Sequence, residues 1–216
     1  MPGTNTVVIA LTAVVLASSS FPAIQRPQEA RNARHEKIKA YLTDIRDKQQ
    51  RTMNIDVAEG ERLYQLVRQL NAKRVLEIGT SNGYSTIWMA MGLEETGGKI
   101  VSIEFDKGRH DLAVENFRKL GLDRLADLRF ADALKEVPRI EGPFDLVFID
   151  AWKEDYGAYF DMVFPKVRSG GAIAAHDTTS YAKEMATFLK RIKSNPALKT
   201  EFLSLGPNGM SISFKK

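Results

Sequence analysis

The chain has 216 residues, of which 44% are hydrophobic, and its 15 glycines follow no repeat; this is enough for one globular domain with a sizeable core. It contains no cysteine, which excludes disulfides, thiolate metal sites and a cysteine nucleophile. The net charge of +4 comes from residues 26–51, which hold eight basic and four acidic side chains; residues 1–25 hold neither and the rest of the chain holds 23 of each.

The first 25 residues are predicted to form a signal peptide or a short hydrophobic anchor. The apolar run at residues 6–17, followed by three serines, has the length and small-residue exit of a secretory segment, so we expect an exported or membrane-associated protein. Two alternatives stay open. Positive charges that only follow the run favour an anchor whose C-terminal side is cytoplasmic, although the run is shorter than the roughly 20 residues of a bilayer span. The second alternative is a misassigned start codon, in which case we expect a cytoplasmic protein.

Residues 26–51 are predicted to form a basic helical arm. A helix over residues 30–50 places Ile38, Leu42 and Ile45 on one buried face. No aromatic stacking platform accompanies the basic side chains, so we expect no nucleic-acid binding. The apolar face can fold back on its own domain or pair two copies of the chain, which leaves a homodimer open.

From residue 57 onward the apolar pattern alternates between helix and strand. It predicts helices over residues 57–70, 85–91, 107–120, 156–164 and 181–194, and strands over residues 74–78, 99–104, 127–130, 144–149 and 172–175. Two last strands, at residues 199–205 and 210–214, flank the hairpin signal Gly206-Pro207-Asn208-Gly209. Residues 52–216 are therefore predicted to form a Rossmann-like, doubly wound α/β domain. Its seven-stranded sheet is mostly parallel, with one antiparallel edge strand from the C-terminal hairpin.

A glycine turn between a buried strand and a helix is the most informative segment. Gly79 and Gly83 follow the strand at residues 74–78, and their missing side chains let a nucleotide-like ligand approach main-chain N–H groups closely. Dehydrogenases share such turns, so the turn alone is weak evidence for any one cofactor. Tyr84 and Ser85 stand where a dinucleotide site has its third glycine. The next strand ends in Glu104, whose carboxylate can accept two hydrogen bonds from a ribose diol.

Two further carboxylates follow strands that we expect to be neighbours in the sheet. Asp150 follows the strand at residues 144–149, and Asp177 follows the strand at residues 172–175. Open α/β sheets bind ligands at this edge, and carboxylate oxygens suit a hard cation such as Mg²⁺. His176 is a ligand, a base or a structural residue. Side-chain alternation along a strand favours the structural role, because it turns His176 to the opposite face.

Three segments together resemble a known family. Residues 77–85, the string Asp150-Ala151-Trp152-Lys153-Glu154-Asp155-Tyr156 and the triplet Met53-Asn54-Ile55 are similar to S-adenosylmethionine-dependent O-methyltransferases related to the catechol and caffeoyl-CoA enzymes. The resemblance covers about residues 50–216 and leaves the N-terminal arm unexplained. It implies methyl transfer from S-adenosylmethionine to a hydroxyl of a small catechol-like or phenolic acceptor.

The resemblance also implies a role for each matching residue. The residues expected at the cofactor are Met53, Asn54, Ile55, Glu77, Gly79, Tyr84, Ser85, Glu104, Asp132, Ala133, Asp150 and Trp152. Within this set, Glu104 is expected at the ribose, and Asp132, Ala133 and Trp152 at the adenine. For Met53 and Ile55, ordinary packing is the alternative role.

The reactive part of the site is expected at a divalent cation held by Asp150, Asp177 and Thr178. Thr178 stands where the family has an asparagine, and a hydroxyl is a weaker and shorter donor than an amide carbonyl. Lys153 is the expected catalytic base, because partial desolvation beside a cation lowers the pKa of a lysine. The alternative for Lys153 is a surface residue that pairs with Glu154 or Asp155.

The acceptor side is expected to be open, because residues 177–180 lead almost directly into the helix predicted from residue 181. Acceptor choice therefore does not follow from the cofactor half of the site. Other classes stay open: a methyltransferase-like module without turnover, a metal-independent methyltransferase, and a dinucleotide-dependent oxidoreductase. The last is disfavoured by the absent third glycine.

Overall fold

The computed structural model describes Gly3, residues 22–48 and residues 53–216. The helices are α1 (Pro22–Lys48), α2 (Val57–Gln69), α3 (Tyr84–Thr96), α4 (Lys107–Leu120), α5 (Ala133–Glu136), α6 (Tyr156–Val163) and α7 (Ala186–Ser194). The strands are β1 (Arg74–Ile78), β2 (Lys99–Glu104), β3 (Ala126–Phe130), β4 (Phe144–Ile149), β5 (Val167–His176), β6 (Leu198–Leu203) and β7 (Met210–Lys215).

The strands form one seven-stranded sheet in the order β3-β2-β1-β4-β5-β7-β6. The strands from β3 to β5 are parallel, and β7 runs antiparallel to both of its neighbours. The Rossmann-like sheet with one reversed strand is thus confirmed, but the reversed strand lies inside the sheet and β6 forms the edge. The chain moves outward in opposite directions from β1 and from β4, so the carboxyl ends of these neighbours mark the switch point where open α/β sheets bind ligands.

Side-chain alternation along the central strands divides the core into two layers. Leu146 and Phe148 of β4 pack in one buried cluster, and Val147 and Ile149 pack in the other. Helices α2 and α3 cover the first layer, and α6 and α7 cover the second. Burial on both faces explains why β1, β2 and β4 read as nearly continuous apolar runs and why their predicted bounds match the structure.

The chain divides into two compact units, residues 1–37 and residues 38–216. In the second unit, the C-terminal part of α1 contributes Ile38, Leu42 and Ile45 to the first core layer, which confirms the predicted apolar face. Tyr41 donates a hydrogen bond of 2.7 Å to Asn116 of α4. This part of the basic segment is therefore packed on the α/β domain.

The predicted N-terminal leader, including its apolar run at residues 6–17, lies almost wholly outside the described residues and remains a prediction. None of the described helices combines the length and the apolar character that a bilayer span requires.

The segment after β5 differs from the prediction. Helix α7 begins at Ala186 rather than at residue 181, and residues 178–185 form turns. The N–H of Thr178 donates to the carbonyl of Gly209 at 3.2 Å, and the N–H groups of Thr179 and Ser180 donate to that of Asn208. These bonds hold the segment against the β6–β7 turn, so the helix begins further along the chain than predicted. The acceptor-side loop is therefore longer than predicted, and the argument for an open pocket fails.

Candidate active site

The glycine turn joins the carboxyl ends of three strands. The Gly79 N–H donates to the carbonyl of Ile103 on β2 at 2.9 Å, and the Asp150 N–H donates to that of Ile78 at 2.8 Å. Gly79 has φ +100°, and a Cβ there would lie 1.9 Å from the carbonyl oxygen of Asp150. Only glycine fits this position, since both the backbone conformation and the available space exclude a side chain.

Glu77 lies behind this turn, fully buried. Its carboxylate accepts hydrogen bonds from the hydroxyls of Ser85 and Ser102, both at 2.5 Å, and from that of Thr86. Burial raises the pKa of Glu77 to about 7, against the opposing effect of the three hydroxyls. The carboxylate joins β1, β2 and the first turn of α3, so Glu77 supports the turn from within. Its contact with a cofactor remains a prediction.

The raised pKa of Glu77 predicts a pH-dependent contribution to stability. The folded carboxyl holds its proton up to about pH 7, whereas the ordinary pKa is 4.5. The stabilisation is therefore complete below about pH 4.5 and is lost as the pH rises through 7. We expect Glu77→Gln, which has no such proton, to remove about 3 kcal/mol of this dependence between pH 4.5 and 8. Urea unfolding across this range measures it, with the exposed Glu61→Gln as control. Parallel curves for wild type and Glu77→Gln would contradict the assignment.

Glu104 is held at the end of β2 by three groups. It accepts hydrogen bonds from the N–H of Ser81 at 2.7 Å and from the N–H of Asp106 at 2.8 Å. The Arg109 guanidinium lies 3.1 Å from Oε1, the oxygen that accepts from Asp106. The carboxylate is thus buried and fixed in orientation beside the glycine turn, as a ribose-binding residue requires, with lone pairs left for a diol.

The other residues predicted at the cofactor are found in different environments. Tyr84 and Ile55 are buried in the core, which favours the packing role for Ile55. Met53 is 74% exposed with φ +50°. Asp132 caps α5, where it accepts from the N–H of Leu134 at 2.9 Å, and Ala133 is buried. Trp152 is 68% exposed.

Two exposed aromatic residues at the same edge of the sheet were missed by the sequence reasoning. Phe105 directly follows β2 and Phe130 ends β3, and both are exposed. The available signal was their position in the chain: Phe105 directly follows Glu104, and Phe130 lies two residues before Asp132. Together with Trp152 they give this edge an aromatic character that suits a planar ring.

The structure brings Asp150, Lys153 and Asp177 together. The Lys153 ammonium lies 2.5 Å from Asp177 Oδ2 and 3.2 Å from Asp150 Oδ1. Lys153 begins a short 3₁₀ turn before α6 and its side chain is largely buried, so the interpretation as a surface lysine is wrong. Thr178 is also buried.

His176 faces the same carboxylates, contrary to the expectation from strand alternation. Its Nδ1 lies 3.3 Å from Asp177 Oδ1 and 3.4 Å from Asp150 Oδ1. The alternation fails because β5 ends at His176 and Asp177 adopts φ +62°, which turns the chain so that both side chains point the same way.

Glu59 of α2 is a third acidic residue at this site, beside Asp150 and Asp177; it is buried and was not predicted. Its Oε2 lies 2.9 Å from His176 Nε2 and accepts from the N–H of Asp56 at 3.0 Å. The sequence signal was a capping box, which indicates only a helix start. Nothing in the sequence linked Glu59 to a histidine so distant in the chain.

The charges in the network determine the protonation of its members. Burial disfavours the ionised form of Asp150, but the cations of His176 and Lys153 outweigh it and lower its pKa to about 2. Burial disfavours the imidazolium of His176, but Asp150 and Glu59 outweigh it and raise its pKa to about 10. The pKa of Lys153 is raised in the same way by Asp150 and Asp177, despite burial. The lowered pKa predicted for Lys153 therefore requires that another positive charge compensate the carboxylates of Asp150 and Asp177.

Aromatic rings surround the Lys153 ammonium. It lies 5.3 Å from the ring centroid of Tyr156, which is buried, and 5.6 Å from that of Tyr181, which is exposed. Tyr181 belongs to the loop after β5, so this loop places an aromatic face at the outer side of the lysine.

A seven-stranded sheet of this order, with a glycine turn after β1 and carboxylates after β4 and β5, defines a Rossmann-like α/β domain. A sequence profile described as O-methyltransferase matches residues 28–210. The chain belongs to the O-methyltransferase family. This confirms the resemblance and excludes the oxidoreductase alternative.

Individual relatives agree with the family. The chain is 35% identical over 127 residues to a catechol O-methyltransferase from Niastella koreensis, a match that covers 57% of each chain. It is 30% identical over 175 residues to a caffeoyl-CoA O-methyltransferase from Medicago sativa, over 78% of this chain and 66% of that protein. The chain thus spans just over half of the catechol relative.

The fold also matches a solved structure with a bound ligand. An O-methyltransferase from Bacillus cereus, in complex with SAH, superposes with a TM-score of 0.75 and 26% identity, over 83% of this chain and 91% of that one.

Proposed function

We propose that the protein transfers the methyl group of S-adenosylmethionine to a hydroxyl oxygen of a small phenolic or catechol-like acceptor, with the assistance of a divalent cation. The observation that carries this proposal is the position of Lys153. Its ammonium contacts the carboxylates of Asp150 and Asp177, and the carbonyl of Asp150 packs against Gly79 of the glycine turn. A group that can move a proton therefore adjoins the cofactor turn.

The cofactor half of the proposal rests on the turn and on Glu104. Gly79 leaves the main chain open to close approach, and the fixed carboxylate of Glu104 can accept from both hydroxyls of a ribose. The Bacillus cereus relative binds SAH, the demethylated form of this cofactor. The exposed rings of Phe105 and Trp152 offer contact area for the adenine.

The side chains of Asp150, His176 and Asp177, here called the carboxylate cluster, fit a divalent cation. Asp150, His176 and Asp177 each offer one ligand atom, and these atoms lie within 4.8 Å of one another. Asp150 and Asp177 would hold the ion, and Thr178, the third predicted ligand, follows them in the chain. A bound cation would lower the pKa of the acceptor hydroxyl and hold its oxygen.

Proton removal is assigned to Lys153. Once the charge of Asp150 and Asp177 is compensated, its amine can accept the hydroxyl proton. The acceptor oxygen then forms a bond to the methyl carbon as the bond between carbon and sulfur breaks, and the sulfur leaves as a neutral thioether. The protein's main contribution is to align the three atoms and exclude water. The exposed ring of Tyr181 would lie against an aromatic acceptor.

Calorimetry with S-adenosylmethionine and a product assay test the proposal. We expect Glu104→Ala to weaken cofactor binding by about 10- to 100-fold, because two hydrogen bonds to a charged group are lost. Glu115→Ala, on the exposed face of α4, should bind as wild type does, and thermal melting verifies that both variants fold.

Mass spectrometry of a catechol panel with Mg²⁺ should show a mass gain of one methyl group. Cofactor binding without any product would favour the non-catalytic module. Product that forms equally in the presence of a chelator would favour a metal-independent enzyme, and wild-type protein that does not bind the cofactor would refute the proposal.

A further inference from the structure

One nitrogen in the carboxylate cluster has no hydrogen-bond partner. His176 is only 3% exposed, and its Nε2 is bonded to Glu59. Its Nδ1 is fully buried and forms no hydrogen bond. The contacts of Nδ1 with Asp150 and Asp177, at 3.4 and 3.3 Å, are close enough to be electrostatic but lack hydrogen-bond geometry. Buried polar atoms are nearly always satisfied in proteins, so Nδ1 indicates a partner that protein atoms do not supply.

The bond to Glu59 determines which ring nitrogen of His176 is available to an ion. A carboxylate can only accept, so Nε2 carries a hydrogen, and Nδ1 is the nitrogen of His176 that an ion beside Asp150 and Asp177 can reach. Without an ion, the two carboxylate oxygens attract a proton on Nδ1. A divalent cation that binds between them takes the place of this proton, and Nδ1 then presents its lone pair to the ion. A carboxylate that holds one imidazole nitrogen while the other binds metal is a recurring arrangement in metalloproteins.

The backbone supports this orientation. The left-handed conformation of Asp177 turns His176 and Asp177 toward the same point. The main chain of Thr178 is bonded to the β6–β7 turn. Lys153 makes its shortest contact with Asp177 Oδ2, whereas Nδ1 faces Oδ1 of the same carboxylate. Two carboxylate oxygens and one imidazole nitrogen can therefore share an ion.

We propose that His176 Nδ1, rather than the Thr178 hydroxyl, is the third protein ligand of this cation site, and that the site takes a divalent transition metal such as Mn²⁺, Fe²⁺, Co²⁺ or Zn²⁺ in preference to Mg²⁺. The inference rests on the proposed metal-assisted methyl transfer and identifies its cation. Imidazole is a good ligand for these metals, whereas Mg²⁺ favours carboxylate, carbonyl and water oxygens. Glu59 is the positioning residue that fixes the histidine.

Electron spin echo spectroscopy of the Mn²⁺-loaded full chain tests the ligand without any substitution. A directly bound imidazole modulates the Mn²⁺ echo at frequencies of ¹⁴N. Biosynthetic ¹⁵N labelling of the three histidines should replace this signal by that of ¹⁵N. An echo that labelling does not change, or a wild-type chain that binds no Mn²⁺, would overturn the inference.

Binding of metals to variants, measured by competition with a chelator, identifies the residue. His176→Asn should weaken Mn²⁺ and Zn²⁺ binding by about 10- to 100-fold and Mg²⁺ binding by less. The matched control Thr178→Val, which keeps the side-chain shape, should change Mn²⁺ binding by less than about threefold. The reverse ranking would assign the ligand to Thr178 and overturn the inference. If His176→Asn does not fold, the isotope experiment decides.

Cofactor binding and methyl product are measured on the same preparation, which separates this inference from the proposed function. A chain that methylates phenols without a histidine signal on Mn²⁺ overturns the inference alone. A chain that shows the histidine signal without binding S-adenosylmethionine supports the inference and refutes the proposed function.

Discussion

Gly79→Ala is expected to destabilise the protein by about 3 to 5 kcal/mol, more than any other single substitution considered for this site. A side chain at φ +100° carries backbone strain, and its Cβ would lie 1.9 Å from the main-chain oxygen of Asp150. A main-chain oxygen cannot move aside without shifting β4, so the strain and the overlap add. Because the displaced residue is Asp150 itself, we also expect loss of cofactor binding and of metal binding in the chains that remain folded.

Gly121→Ala is the matched control for this experiment. Gly121 also has a positive φ, +63°, but no atom lies within 4 Å of a Cβ built there. Its substitution should cost about 1 to 2 kcal/mol, from the backbone conformation alone. Urea unfolding of both variants gives the comparison. Equal losses at the two glycines would show that the close approach to Asp150 does not matter.

Lys153→Met is expected to lower kcat by about 10²- to 10⁴-fold, the range for loss of a general base. The affinity for S-adenosylmethionine should change by less than about threefold, since no residue that we assign to the cofactor contacts the lysine except Asp150. Initial rates with a saturating catechol acceptor, together with calorimetry, separate the two quantities.

Lys153→Arg distinguishes proton transfer from charge. Arginine preserves a cation beside Asp150 and Asp177, but it does not give up its proton in proteins. If Lys153 is the base, this variant should lose about as much kcat as Lys153→Met. Activity near that of wild type would assign Lys153 an electrostatic role instead. Lys199→Met, at an exposed position on β6, should leave both quantities unchanged.

The fold was accessible from sequence because its central strands are buried on both faces. Strands β1, β2 and β4 are short apolar runs with clear ends, and the bounds predicted for them agree with the structure. Interactions between distant segments were not accessible. The start of α7 depends on bonds from residues 178–180 to Asn208 and Gly209, which no local pattern encodes.

The site, like the fold, could be predicted where local sequence patterns determine it and could not where distant segments interact. The positions of Asp150 and Asp177 at neighbouring strand ends followed from the sheet order, and both carboxylates contact Lys153 in the structure. The orientation of His176 did not follow, because it depends on the left-handed backbone of Asp177. The pairing with Glu59 joins residues 117 positions apart. The protonation of Lys153 depends on which carboxylates face it, a property of the packed site.

The hydrogen bonds between residues 178–180 and the β6–β7 turn affect the order in which parts of the protein can fold during synthesis. The glycine turn, Glu77 and Glu104 belong to segments that leave the ribosome early. Asp177 leaves later, and the turn that anchors its segment, at residues 206–209, is synthesised after it. Since chains begin to fold during synthesis from the N-terminal side, a nascent chain can form the cofactor half first. The reactive half is completed only when β7 enters the sheet.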